Sequence, residues 1–270
     1  LLKNRIVSPK PSKNKQSDKD EKPRSQRTAQ YILATFRAIW KLAKMKGYVS
    51  GEYPGSELKF SVSNGRANYL KAAEVRELLS RLETENIDAH DFAVAALNTG
   101  ARRSELLKLK WDDVNFTEEK ITLWHTKTDN SREIPMTKEL KKVLSRRYEK
   151  RVSPFVFGYE EKPPQDVPHT LRRVLDEMFN KGLDSQNQED RKKKITVHSL
   201  RHTAASHMYQ SGLDAKTICE FFGWSTIQML ERYTHIADDA KQRAAKSLEH
   251  SYTKKPEEDE SKVIPINQAS

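Results

Sequence analysis

The stretch HSLRH, residues 198–202, places two imidazoles and a guanidinium within five positions. Turned by about 100° per residue, His198, Arg201, His202 and Ala205 fall on one side of a helix, and Leu200, Ala204, His207 and Met208 on the other. The first side is polar and convergent and the second is apolar, so His207 reads as a packed core histidine. A metal held by His198 and His202 at i, i+4, a phosphate, or a solvated helix surface would each suit the polar side. The metal is the weakest of these. The Glu of an HExxH motif is absent, the chain has one cysteine, and Arg201 would set a permanent cation beside the ion.

Two further groups bear on the choice. Upstream, Arg102 and Arg103 follow a Thr99-Gly100 turn, and Glu105 stands three residues after Arg102, within reach on a helix. Lys127 sits at the polar tip of a hairpin pattern, HTKTDN. Downstream, Gly223-Trp224-Ser225 precedes TIQMLERYTHI, where Ser225 with Gln228 fits a capping box and predicts a helix carrying Tyr233 in its third turn. Met229, Tyr233 and Ile236 would share its buried face. Taken singly, each group also suits an ordinary role: charged helix start, solvated turn lysine, core tyrosine.

The elements that would position these residues follow from periodicity. TAQYILATFRAIWKLAKMKGY (28–48) has Ile32, Leu33, Phe36, Ile39, Trp40 and Ala43 on one side, with Gly47 as its stop. A Gly, Ser, Pro and Asn-rich stretch (50–68) marks a boundary, and Val75, Leu78, Leu79 and Leu82 predict a helix over 71–83. DFAVAALNTG reads as a helix closing at Gly100, and RRSELLKLK as the next. Ile121 and Leu123 before the polar tip, and Ile134 and Met136 after it, predict a hairpin. Helical patterns return at 137–150, 169–181, 199–211, 214–222 and 225–235, with a charged, flexible loop expected over 181–194. The fold class expected is mainly α with a small antiparallel β-sheet. Residues 1–27 read as linker, and 254–270 as an acidic tail ending in the apolar patch Val263, Ile264 and Ile266. Cys219, between apolar neighbours, reads as a buried inert thiol. Leu1 in place of a methionine suggests a fragment whose N-terminal portion is missing.

Forty-nine Lys and Arg against 38 Asp and Glu give a net charge of +11, a field that favours polyanions: nucleic acid first, an anionic membrane surface second. No run approaches the roughly 18 apolar residues of a membrane span, nor does the N-terminus carry the apolar segment of a signal peptide, so a cytoplasmic protein is expected.

Taken together and in order, TGARRSELLKLKWDDV, HTKTDNSREIPM, HSLRH, GWS and ERYTHI resemble the tyrosine recombinase, or phage integrase, family, over roughly residues 66–240. The resemblance implies an integrase-type catalytic domain at 66–253, preceded at 28–65 by the last part of a helical core-binding domain and a linker. For 254–270, the isolated apolar patch in a polar tail suggests a segment that docks on a neighbouring protomer. The resemblance places the catalytic set on Arg102, Lys127, His198, Arg201, Trp224 and Tyr233, with Glu105 and His202 in support. Most members carry histidine where Trp224 stands; an indole donates one hydrogen bond and shuttles no proton, which moves that task to His198.

The implied chemistry is attack by Tyr233 on a DNA phosphodiester, with Arg102 and Arg201 as forks on the phosphate and Lys127 as general acid. Reaching a phenolate at pH 7 costs roughly 4 kcal/mol for a free tyrosine, which explains the surrounding cations. The expected partners are double-stranded DNA, three further copies of the chain in a tetramer, and accessory DNA-bending or directionality proteins. Neither cofactor nor metal is expected. A type IB topoisomerase and a non-catalytic DNA-binding module are the alternatives.

Overall fold

The computed structural model describes residues 26–58, 68–124, 131–184 and 187–236. Residues 1–25 of the predicted linker, the hairpin tip with Lys127, and the acidic tail lie outside them; Gln26 and Arg27, read as linker, instead belong to the first helix. The chain divides into two compact units, with the boundary at residues 64 and 65.

In the first unit, helix α1 (Gln26–Met45) buries Ala29 and Leu33, packed with Ile32 and Leu58. Its Phe36 and Trp40 meet the ring of Tyr53 at 5.8 and 6.4 Å, and the Tyr53 hydroxyl donates to Leu33 O at 3.3 Å. Of the predicted apolar side, Phe36 and Ile39 remain exposed, as do Tyr31, Leu42 and Met45.

The second unit is built around a helix with almost no polar face. Helix α2 (Ala72–Glu85) is amphipathic and inserts Leu78 and Leu82. After Asn86, whose side chain accepts from Ala89 N at 2.8 Å, helix α3 (Ile87–Thr99) buries Ala89, Phe92, Ala93, Val94, Ala95 and Ala96. Each large apolar side chain removed from water this way contributes about 1.5–3 kcal/mol, and the alanines let neighbouring helices approach closely. Gly100 ends α3 at φ +56°, a left-handed conformation. A Cβ there would fall 2.1 Å from the Phe222 ring, so glycine is required both by backbone angle and by space.

A short helix, α4 (Arg103–Lys108), leads to a three-stranded antiparallel sheet in the order β1 (Val114–Asn115), β2 (Lys120–Trp124), β3 (Ser131–Pro135). Ile121 pairs with Ile134 and Leu123 with Arg132. The predicted inward residues Ile121, Leu123, Ile134 and Met136 are all buried. Helices α5 (Lys138–Glu149), α6 (His169–Phe179), α8 (Val197–Gln210) and α9 (Ala215–Phe222) follow the predicted pattern within two residues at most ends.

Two expectations need correction. The 181–194 segment contains a helix, α7 (Gln188–Lys193), capped by the Asn187 side chain on Glu189 N at 2.9 Å and braced by Lys192–Glu189 and Lys193–Asp190 pairs. Residues Ile227–Ile236 form 3₁₀ turns rather than an α-helix. The reason lies in the core contacts. Leu230 and Tyr233 are the buried residues among the described side chains of this segment, and a spacing of three eclipses side chains in a three-residue turn. Met229, expected beside Tyr233, is 42% exposed.

The site rests on a second apolar cluster: Ala204, Ala205, Ile218, Cys219, Phe222, Leu230 and Tyr233. Cys219 is buried as expected, and burial, then Glu220 beside it, pushes its thiol up. None of the described helices is long and apolar enough to cross a membrane.

Candidate active site

Arg201 is the anchor of the site. It rises from the first turns of α8 and is only 4% exposed, so its guanidinium must find acceptors inside. Nη1 donates to Gly100 O and Nη2 to Phe222 O at 2.7 Å. Both carbonyls belong to helix ends closed by a left-handed glycine, Gly100 after α3 and Gly223 after α9, and helix C-termini favour a cation. The guanidinium also lies 5.0 Å from the Phe222 ring centroid and 5.5 Å from that of Trp224. Burial, then neighbouring Arg102, lowers its pKa to about 9, which leaves it charged at neutral pH.

Arg102 stands at the start of α4, where Glu105 bonds it twice. Glu105 Oε2 accepts from Arg102 N at 2.8 Å and Oε1 from Arg102 Nη1 at 2.8 Å. The same buried carboxylate accepts from Arg132, at 2.7 Å from Nη2 and 3.3 Å from Nη1. Desolvation alone would raise the Glu105 pKa. Arg132 and Arg102 outweigh it, and the carboxyl is held at about 2. Arg132 also donates from Nε to Phe221 O at 3.0 Å, one residue before the carbonyl that holds Arg201. Sequence reasoning missed Arg132. The available signal was its place two residues before Ile134 on β3, which puts it on the inward face of the strand.

Tyr233 is 1% exposed and lies nearly parallel to the Trp224 ring, at 5.8 Å and 16°. Trp224 in turn stacks on Phe222 at 4.8 Å and 22°. The Tyr233 hydroxyl bonds Nδ1 of His202 at 2.5 Å. Burial raises the phenol to about 12, opposed by Arg201 and Arg232. His202 is lowered to about 3 by burial first, then by His198, Arg232 and Arg201, so it is neutral at pH 7, and in the Nε2–H tautomer its Nδ1 accepts from the phenol. His198 packs edge-on against His202 at 4.7 Å, with its outer face exposed. Desolvation of its inner side, with Arg201, Arg102 and Arg232 nearby, lowers its pKa too.

The structure thus brings Arg102, Glu105, Arg201, Trp224, His202, His198 and Tyr233 into one neighbourhood, although 131 positions separate the first from the last. Lys127 lies outside the described residues. His207, predicted as a packed histidine, contacts Leu70 O through Nε2 at 3.0 Å and meets Tyr69 edge-on. Among the described residues, three or more His, Cys, Asp or Glu side chains nowhere converge as metal ligands. The arrangement can hold an anion between Arg102 and Arg201 and present an aromatic hydroxyl beside it.

The chain matches the phage integrase family model over residues 68–240. It is 30% identical over 172 residues to tyrosine recombinase XerA of Pyrococcus furiosus, a stretch covering 62% of this chain and 57% of that protein. The matched part therefore spans little more than half the length of this relative. In fold, it is similar to the Tn1549 transposon integrase solved with transposon right end DNA, at a TM-score of 0.63 and 18% identity, covering 84% of this chain and 80% of that one. It is also similar to a chain of the lambda integrase tetramer bound to a Holliday junction, at 0.55 and 17%, covering 77% and 59%.

Proposed function

This chain belongs to the phage integrase family of tyrosine recombinases, and on that premise we propose that it is a site-specific DNA recombinase serving the integration or excision of a mobile element or prophage. The observation that carries the reading is the buried Tyr233 hydroxyl, bonded to His202 and within electrostatic reach of Arg201, which in turn neighbours Arg102.

In this reading Arg102 and Arg201 present their donors to the non-bridging oxygens of the scissile phosphate, where negative charge builds. Arg201 is locked by two helix-end carbonyls and Arg102 by Glu105, so little reorganisation is needed when the phosphate arrives. Tyr233 Oη attacks phosphorus and the 5′ oxygen departs. Lys127, which lies between β2 and β3 in the sequence, donates the proton that the departing oxygen needs. His198 hydrogen-bonds the phosphate, and the Trp224 ring packs against the nucleophile with its N–H as a further donor. The product is a 3′-phosphotyrosine with a free 5′-hydroxyl. The ester bond is exchanged rather than hydrolysed, so a second strand's hydroxyl reverses the step without ATP.

The lambda integrase tetramer solved on a Holliday junction supports a tetramer of this chain on DNA. A cytoplasmic site of action and accessory DNA-bending or directionality proteins are part of the same proposal. Residues 28–65 would contribute the end of a core-binding domain, 66–253 the catalytic domain, and 254–270 a segment docking on a neighbouring copy. The test is strand exchange between two labelled duplexes, selected by the protein from a randomised pool. Recombinant products are expected. Supercoil relaxation by a monomer with no exchange would instead point to a topoisomerase, and binding without cleavage to a module that has lost its chemistry.

A further inference from the structure

Two histidines border the nucleophile, and their relations to it differ. His202 Nδ1 bonds the Tyr233 hydroxyl at 2.5 Å, with ring centroids 5.9 Å apart, whereas His198 meets the His202 ring edge-on, with centroids 4.7 Å apart. His202 directly follows Arg201 on α8, and Arg201 is tied to Gly100 O and Phe222 O. The backbone that aims the imidazole is therefore fixed by the same bonds that fix the phosphate-binding arginine.

We infer that His202 is the catalytic residue that takes the proton from Tyr233 as the hydroxyl attacks phosphorus, a task that sequence reasoning had given to His198. The inference rests on the recombinase reading above. The step balances: the Oη–P bond forms, the hydroxyl proton moves to His202 Nδ1, and the bond from phosphorus to the 5′ oxygen breaks. The departing oxygen keeps the electron pair and is protonated by the general acid. When a strand's hydroxyl attacks in reverse, His202 returns its proton to Tyr233. With Nδ1 accepting, the resting ring carries its proton on Nε2.

The charged surroundings make the transfer conditional. The groups facing His202 are His198 and Arg201 from α8 and Arg232 and Tyr233 from the 3₁₀ turns. In the resting site these cations and burial keep the imidazole neutral, and burial keeps the phenol protonated. An anionic phosphate seated on Arg102 and Arg201 offsets their charge and raises His202, while the forming bond acidifies the phenol. The nucleophile is thus silent until DNA occupies the arginines.

The test uses single-turnover cleavage of nicked duplexes that the unaltered protein has selected from a randomised pool. His202→Ala and the size-matched His202→Asn are compared in two backgrounds, one with Tyr233 and one with 3,5-difluorotyrosine at 233, whose phenol ionises near neutral pH. With Tyr233, both variants are expected to cleave about 10²-fold more slowly, the scale of general base catalysis. With the fluorinated nucleophile most of that loss disappears, because the more acidic phenol depends far less on a base. An equal loss with both nucleophiles, or no loss with either, overturns the inference. A fold-preserving readout stands beside it: Tyr233→Phe must shift the Nδ1 resonance of His202 in ¹⁵N spectra and leave that of His198 in place. The converse pattern also overturns it. Failure of the unaltered protein to form any covalent adduct contradicts the recombinase reading itself.

Discussion

Arg132 and Glu105 meet at 2.7 Å on the inner face of the sheet, with side chains only 10% and 2% exposed, and through that contact the hairpin strand β3 holds the carboxylate that orients Arg102. The pair is buried, and removing Arg132 leaves Glu105 with Arg102 as its remaining cation and one lone-pair set unsatisfied. Arg132→Met is expected to lower stability by about 1–3 kcal/mol and to slow cleavage more than it weakens DNA binding. Urea unfolding and single-turnover kinetics on the same variant check both parts. Arg132→Met with unchanged kinetics would show that Arg102 needs no such support.

Glu105 also predicts a pH dependence. Its pKa falls from 4.5 in the unfolded chain to about 2 in the fold, so the carboxylate adds stability fully present above pH 4.5 and lost as pH falls toward 2. The amount is about 3 kcal/mol from the size of the shift. Chemical unfolding followed between pH 6 and 2.5 should show this fall. Glu105→Gln should be less stable at pH 6 and lose this component of the slope.

Gly100 and Gly212 offer a matched pair, since both have positive φ, +56° and +86°. A Cβ at Gly100 strikes the Phe222 ring, while one at Gly212 meets nothing within 4 Å. Gly212→Ala should cost only the strain of the left-handed backbone, about 1–2 kcal/mol. Gly100→Ala adds overpacking of about 1–3 kcal/mol and displaces the residue whose carbonyl holds Arg201. Thermal unfolding and cleavage should therefore separate the two, with cleavage lost at position 100 and kept at position 212.

The 3₁₀ register of Ile227–Ile236 makes a similar distinction. Leu230→Ala should destabilise by about 2–5 kcal/mol as a buried large-to-small change. Met229→Ala, on the exposed side, should stay within about 0.5 kcal/mol. The reverse order would restore the α-helical register that the sequence suggests.

Those two residues mark where the sequence was legible and where it was not. The helices and hairpin follow from apolar periodicity, which is a local property, and the pairing of Arg102 with Glu105 follows from a spacing of three on one helix. The choice between α and 3₁₀ turns around Tyr233 depended on Leu230 finding the cluster below α8 and α9, a tertiary effect that a plausible Ser225–Gln228 cap concealed. Arg132 was hidden for a different reason: a charged residue between polar neighbours at a hairpin reads as solvated, although its spacing of two from Ile134 puts it on the inward face, opposite Leu123. Which histidine faces Tyr233 depends on how segments 31 residues apart pack, and no spacing rule reaches that far.

The most direct test of the central claim is to map the covalent bond. Unaltered protein incubated with selected nicked duplexes, digested and analysed by mass spectrometry, should yield one DNA-linked peptide with the phosphate on Tyr233, and Tyr233→Phe should yield none. Cleavage that persists in Tyr233→Phe, or a phosphate found on any other side chain, would contradict it.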